Sequence, residues 1–225
     1  MQYQLEVAGV DSLLIRFDLP SDHAAVTVAS CAAQLRQSFG TAVVDIIPAY
    51  ASLLIIYDLM QLDDQTLRQR LQQILEHFKP DPQVVSGKPV QIPVCYEAEF
   101  APDLATLATQ LKLSEARIIE LHCAGEYKVQ AVGFAPGFAY LGSLPQALRV
   151  PRKATPRTDV PAGAVAIAEH QTAVYPQVSP GGWWLIGRCP LVLFDTQAEP
   201  PGLLAVGDRV RFEPISAADF KRLLS

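Results

Sequence analysis

The 225-residue sequence predicts an α+β protein, with a small N-terminal α/β sandwich domain followed by a larger β-rich domain. Three observations lead there. The first 80 residues alternate strand-like and helix-like apolar patterns in the order ββαββα, which suits helices packed on one face of a small sheet. Lys79 to Pro89 then carries three prolines and a glycine, the composition of a linker. After Gly125 the texture changes again. Nine glycines and eleven prolines fall in the last hundred residues, against four and seven in the preceding 125, and they separate short β-type runs. The expected division is a domain over 1–80, a linker over 81–89 and a β-barrel or sandwich domain over 90–225.

Each element has a local reason. Gln2 to Val7 alternates, with Tyr3, Leu5 and Val7 on one face, and Ser12 to Leu19 places Leu13, Ile15 and Phe17 together. Asp22 is suited to cap a helix whose apolar positions Ala25, Val28, Ala32, Leu35 and Phe39 follow helical spacing, with Gly40 just past its end. Thr41 to Ile47 and Ser52 to Tyr57 are strand-like runs separated by Pro48. Asp63 or Asp64 opens a second helix carrying Leu67, Leu71, Ile74, Leu75 and Phe78 on one stripe. In the second domain, Val90 to Tyr96 predicts a strand, and Asp103 to Leu111 and Ser114 to His122 predict two short helices, the latter capped by Ser114. Further strands are expected at Tyr127 to Phe134, Val165 to Ala168, Thr172 to Tyr175, Trp183 to Ile186, Leu191 to Phe194 and Val210 to Phe212.

Composition removes several function classes. Half of the residues are apolar and 18% are charged, which excludes a disordered chain. The net charge of −5 disfavours general binding to a phosphate backbone, so no nucleic-acid partner is expected. The longest apolar run, Ala51 to Tyr57, is far shorter than a membrane span, and the N-terminus lacks the order of a secretory signal. Cys31, Cys95, Cys123 and Cys189 form no C-x-x-C pair and read as reduced, buried thiols. The expectation is a cytoplasmic protein with no membrane association and no structural metal.

No phosphate loop, dinucleotide fingerprint, zinc-protease motif or nucleophile elbow is present, so any nucleotide is handled by a less portable site or one shared with another chain. The unusual stretch runs from Gly133 to Gly182. GFAPGFAYLG is either a rigid aromatic-walled loop beside a pocket or a β-hairpin filled by core aromatics. LRVPRKATPRTDVPAG sets Arg149, Arg152, Lys153 and Arg157 within nine residues, between prolines that keep the backbone extended. Those cations either converge on an anion or form a solvated loop paired with Asp159 and Glu169. HQTAVYPQVSPGGWWLIGR adds Gln171, Tyr175, Trp183, Trp184 and Arg188, which complete a cleft or fill a barrel. His122 ends a helix, where the dipole favours an imidazolium; a capping role and a catalytic one are both open.

Taken together, these stretches resemble the family that contains the B-type 5-oxoprolinase component, the kinase inhibitor KipI and allophanate hydrolase subunit 1. The resemblance rests on ELH at 120–122, GFAPGFAYLG at 133–142, PRKATPR at 151–157, VPAG at 160–163, QTAVYP at 171–176, SPGGWWLIGR at 179–188 and GDRVRF at 207–212. It covers the second domain closely and the first loosely. It implies a cyclophilin-like β-barrel domain and a subunit of a bacterial multi-subunit hydrolase that opens 5-oxo-L-proline to L-glutamate at the expense of ATP.

Such a chain is expected to act with a sister subunit of the 5-oxoprolinase C type and a third, lactam-hydrolase-like subunit, and to be inactive alone. ATP, with Mg2+, would occupy a shared site. The resemblance equally admits a KipI-like regulatory protein that inhibits a sensor histidine kinase, or a subunit acting on another amide- or urea-type substrate. On this basis His122, Arg152 and Arg157 are expected as catalytic residues. Phe134, Pro136, Gly137, Phe138, Tyr140, Lys153, Gln171, Tyr175, Gly181, Gly182 and Trp183 are expected to bind substrate or phosphate. Removing Arg157 is expected to cut activity without lowering stability.

Overall fold

A computed structural model of the protein describes residues 2–19, 21–80 and 87–224. The chain divides into two compact units, Met1–Ser86 and Gly87–Ser225. Most of the linker expected over 81–89 lies outside the described residues, and its last residue, Pro89, opens a strand.

The first unit follows the expected order: β1 (Tyr3–Gly9), β2 (Ser12–Phe17), α1 (Ser21–Phe39), β3 (Val43–Ala49), β4 (Ser52–Tyr57) and α2 (Asp64–His77). Its strands pair antiparallel in the order β1-β2-β4-β3. Alternation turns Leu13, Ile15, Phe17, Ile46, Leu53, Ile55 and Tyr57 toward one apolar core. The helical stripe of α1 (Val28, Ala32, Leu35, Phe39) and that of α2 (Leu67, Leu71, Leu75) bury into the same core. Asp63 caps α2 by accepting from the Thr66 backbone N–H at 2.8 Å. Gly40, at φ +54°, ends α1 in the left-handed conformation. The side chain of Asp22, the expected cap of α1, lies outside the described residues.

Pro48 does not separate the two strands; it sits inside β3 opposite Leu53. The turn is at Tyr50 and Ala51, which makes Ala49 and Ser52 the bonded pair beside it. Pro48 therefore takes the next, non-bonded position, where its missing N–H costs the hairpin nothing.

In the second unit come β5 (Pro89–Cys95), α3 (Leu104–Leu111), α4 (Glu115–Ala124), β6 (Tyr127–Val132), β7 (Ala139–Gly142), β8 (Arg157–Val160), β9 (Ala164–Ala168), β10 (Gln171–Val174), β11 (Ser179–Gly181), β12 (Trp184–Arg188), β13 (Arg209–Ile215) and α5 (Ala217–Leu224). Seven of these strands close on themselves in the order β6-β13-β5-β12-β9-β10-β7, with β7 returning to β6. The chain therefore has the α+β class expected of it, an α/β sandwich unit followed by a cyclophilin-like closed barrel. The strands β8 and β11 form a separate two-stranded ribbon.

Strict alternation gives the barrel strands two buried faces. Val165 and Ile167 of β9, Val174 of β10, Trp184 and Ile186 of β12, and Leu141 of β7 join the large core with Leu104, Leu107 and Ile118 from the helices. Their neighbours Ala164, Ala166, Ala168, Ala173 and Leu185 face the other way into a smaller cluster with Phe138, Tyr175 and Trp183. The small alanine side chains let that second layer approach closely.

Three differences from the sequence reading have local causes. Leu191 to Phe194 is no strand; it makes one isolated bridge, Phe194 to Gly202, and leaves Val192 exposed. The strands β7, β8 and β11 are short, and the latter two are polar or Gly/Pro-containing, so they carry little alternation to read. Helix α5, eight residues long and absent from the sequence reading, packs Phe220 against Phe100 at 4.5 Å; at two turns it offers too short a window for a periodic pattern to be read.

Candidate functional site

The β6–β7 hairpin shapes one wall of a cleft on the smaller-cluster face of the barrel. Val132 pairs with Ala139, and the tip between them is closed by hydrogen bonds from Gly133 N–H to Phe138 O and from Phe138 N–H to Ala135 O, both 3.0 Å. Gly137 lies at φ +79°, where a Cβ would come within 2.7 Å of the Phe194 side chain, so no other residue fits. Phe134 is held at φ +77° and is 62% exposed at the rim. An aromatic residue in the left-handed region is strained, and strain of this kind concentrates at functional sites.

Phe138 is the centre of the wall. Its ring makes edge contacts with Phe134 at 5.3 Å, Tyr140 at 4.9 Å, Tyr175 at 5.2 Å and Trp183 at 6.1 Å. Gly181 completes the surface, because a Cβ there would lie 2.3 Å from the Tyr175 hydroxyl. The cleft encloses about 290 Å³, and Arg152, Pro156, Pro180 and Gly182 line the rest of it. Among the described residues Arg152 is the only charged side chain on its walls. Burial pushes the Tyr175 phenol up from its ordinary value, and the Arg152 charge pulls it back down.

The other cations of the basic loop have partners within the protein: Arg149 Nε donates to Leu144 O at 3.2 Å, and Lys153 and Arg157 meet a buried carboxylate. Asp103, at the start of α3, has a side chain 4% exposed and accepts from Lys153 Nζ at 2.6 Å and from Arg157 Nη1 and Nη2 at 2.8 and 2.7 Å. It also accepts from the Leu185 backbone N–H at 2.8 Å. Burial alone would raise the Asp103 carboxyl, but the hydrogen bonds from Arg157, Lys153 and Leu185 outweigh it and hold the group below the ordinary carboxylate value. The Lys153 ammonium also lies 4.7 Å from the Trp184 ring centroid. Two further bonds fix this loop: Lys153 N–H to Gly182 O at 2.7 Å and the Trp184 indole N–H to Pro151 O at 2.8 Å.

Of the expected site residues, the structure brings together Phe134, Phe138, Tyr140, Arg152, Tyr175, Gly181, Gly182 and Trp183. Both alternatives for GFAPGFAYLG hold at once: the segment is a hairpin tip, and its aromatics wall the cleft. Pro136 and Gly137 shape that tip without lining the cleft, and Gln171 is buried in β10 away from it. Lys153 and Arg157 do converge on an anion, but it is the protein's own Asp103. In this arrangement their donors are engaged within the protein, an ion-pairing role that the sequence reading of Lys153 and Arg157 did not contain. Neither basic-loop alternative included Asp103, which lies 50 and 54 positions away in sequence. Its only local mark is its place before a helix.

His122 requires the largest correction. It is fully buried in the barrel core, stacked on Phe212 at 4.4 Å, and does not reach the cleft. The Thr172 hydroxyl donates to Ala166 O at 3.0 Å, so it must accept from the His122 Nε2–H at 3.0 Å. Nδ1 is then the acceptor for the Tyr96 hydroxyl at 2.8 Å. Desolvation drives the imidazole down to about 3, so it is neutral at physiological pH, neither an imidazolium at a helix end nor a group in contact with a ligand in the cleft.

No group of three or more His, Cys, Asp or Glu suited to a metal occurs among the described residues, and the cleft walls carry no carboxylate among them, so these residues do not fit a Mg2+ site of their own. No helix among them is long and apolar enough to cross a membrane.

The fold and this site together define an α/β sandwich unit followed by a closed barrel that presents an aromatic, singly cationic cleft. The chain belongs to the carboxyltransferase domain, subdomain C and D family, whose model matches residues 3–204. It is 38% identical to the 5-oxoprolinase B subunit of Bacillus subtilis (strain 168) across 98% of this chain and 96% of that protein. It is 44% identical to the 5-oxoprolinase B subunit of Escherichia coli O157:H7 across 76% of this chain and 78% of that protein. Among solved structures, TTHA0988 superposes with a TM-score of 0.80 at 36% identity, covering 92% of this chain; the chain spans 40% of that protein's length.

Proposed function

We propose that this chain is the B-type subunit of a multi-subunit 5-oxoprolinase that opens 5-oxo-L-proline to L-glutamate with ATP hydrolysis, together with a C-type sister subunit and a third, lactam-hydrolase-like one. The observation that carries this reading is near end-to-end similarity to the Bacillus protein, over 98% of this chain and 96% of that one. The cleft supports it. At about 290 Å³ it sits at the small end of ligand pockets, with room for a five-membered lactam but not for a lactam and a nucleotide together. The γ-lactam is an unstrained amide and a poor electrophile. Transfer of the ATP γ-phosphoryl group to its oxygen activates the carbon to water, the ring C–N bond opens, and a second water releases phosphate. This chain contributes aromatic walls that pack against the ring and one guanidinium that positions it. The groups that hold ATP and its Mg2+ are assigned to the sister subunits, because Lys153 and Arg157 are engaged by Asp103 here.

The test is phosphate release from ATP that depends on 5-oxoproline, measured with this chain alone, with the sister subunit, and with all three. Release and glutamate formation only on full reconstitution are the expected result. An assembled complex with no 5-oxoproline dependence would reject the reading and turn attention to kinase inhibition or another amide substrate.

A further inference from the structure

We propose that the cleft selects a small flat ring bearing a single carboxylate, that Arg152 receives that carboxylate, and that Asp103 sets the selectivity by withdrawing Lys153 and Arg157. The inference names a ligand class for the site assigned above and rests on that reading for the choice of lactam.

The cleft walls divide by chemistry. Phe134, Phe138, Tyr140, Tyr175 and Trp183 offer ring edges and faces, which suit a flat ring of low polarity. An aromatic enclosure of this kind would also attract an ammonium ion, but Arg152 on the same wall repels one. Among the described residues Arg152 is engaged by Glu169 alone, through Nε at 3.5 Å, which is beyond a good hydrogen bond. Its two terminal nitrogens remain available as a fork, the geometry that matches a carboxylate.

A phosphate chain would need several convergent cations. The sequence supplies Lys153 and Arg157 next to Arg152, yet both donors of the Arg157 fork and the Lys153 ammonium are bound to Asp103. That carboxylate is in turn locked by the Leu185 N–H, so it cannot swing away to release them. What is left at the cleft is one fork for one carboxylate. Asp103 touches no ligand in this arrangement; it is a positioning residue that acts through the charges it neutralises.

The experiment is calorimetric titration of the full chain with 5-oxo-L-proline, its carboxamide, 2-pyrrolidinone, L-proline, 2-furoate and inorganic phosphate. The ring acids are expected to bind roughly 10- to 100-fold more tightly than the carboxamide or pyrrolidinone, and phosphate more weakly than any ring acid. Arg152→Gln should erase that discrimination, and Arg152→Lys should restore part of it. Asp103→Asn should raise phosphate affinity relative to the ring acids, a gain that a purely structural role would not produce. If that variant does not fold, Lys153→Met serves instead: with Lys153 already withdrawn, the ligand ranking should not change.

Equal binding of acid and carboxamide, no binding of any ring acid, discrimination that survives Arg152→Gln, or a ranking that changes in Lys153→Met would each overturn the proposal. The two readings fail separately. Turnover of 5-oxoproline by the reconstituted enzyme without acid discrimination overturns this one alone. Carboxylate-dependent binding of ring acids without turnover overturns the 5-oxoprolinase reading alone.

Discussion

Two of the polar clusters that the barrel unit buries are held in opposite charge states. Around His122 every group is neutral: Tyr96 donates to the ring, the ring donates to Thr172, and Thr172 donates to a strand carbonyl. Around Asp103 every side chain is charged, one carboxylate facing an ammonium and a guanidinium. A neutral chain of donors and acceptors closes on itself and can sit anywhere in a core. The Asp103 carboxylate is matched by cations, and they come from the loop that also carries Arg152 to the cleft. The first cluster lies away from the cleft, whereas the second, under the inference above, sets how many charges a ligand there would meet.

The contrast can be broken at its charged side with the largest effect. Asp103→Ala strands Lys153 and Arg157 partly buried without a counter-charge and should cost about 3–5 kcal/mol. Chemical denaturation followed by tryptophan fluorescence reads this unit directly, since both tryptophans, Trp183 and Trp184, lie in it. A cost near zero would mean that the cations find water instead.

The neutral side breaks more gently. His122→Leu leaves the Tyr96 O–H without its acceptor and should cost about 1–3 kcal/mol, most of it recovered by adding Tyr96→Phe. Gly181→Ala belongs to the same range, because its Cβ forces Tyr175 to move; about 1–3 kcal/mol is expected, with loss of ligand binding at the cleft.

Acid separates the clusters without mutation. The folded His122 titrates at about 3 and an unfolded histidine near 6.5, so between those values the unfolded chain binds the extra proton. Its contribution is complete above pH 6.5 and is lost as pH falls, with a slope approaching about 1.4 kcal/mol per pH unit. The Asp103 carboxyl is depressed, so its contribution is complete above the ordinary carboxylate range and fades only below it. Stability measured from pH 7 to pH 5 should therefore fall in the parent chain and flatten in His122→Leu. An unchanged slope in that variant would assign the effect to another group.

Arg152→Gln should have the smallest effect on the fold, within about 0.5 kcal/mol, as for an exposed side chain. If the proposed function holds, reconstituted 5-oxoproline turnover should nonetheless drop by roughly tenfold or more. Full turnover in that variant would remove Arg152 from the site.

Much of this was legible in the sequence. The apolar stripes of α1 and α2, the alternation in β2 and β4, and the caps at Asp63 and Ser114 follow from short-range spacing, and each element formed close to where its pattern places it. The aromatic set of the cleft was legible too, because glycines and prolines around Phe138 and Tyr175 mark backbone that must bend tightly. Charge pairing was not. Nothing near Arg157 in sequence indicates a partner 54 positions earlier, and nothing in the ELH motif shows that the imidazole points into a core with no water.

By itself, then, the sequence determined most of the helices and the longer strands, where the polar caps fall, and which stretch carries the aromatics and cations, because these depend on interactions within a few residues. The tertiary structure decided the rest. It turned Trp183 toward the cleft and Trp184 toward the core, buried His122 as a neutral ring, and neutralised Lys153 and Arg157 while leaving Arg152 to face the cleft. Those outcomes depend on barrel closure, which brings distant side chains into contact and removes water from between them. Burial and pairing set the charge a side chain carries and shows, and both are properties of the folded molecule.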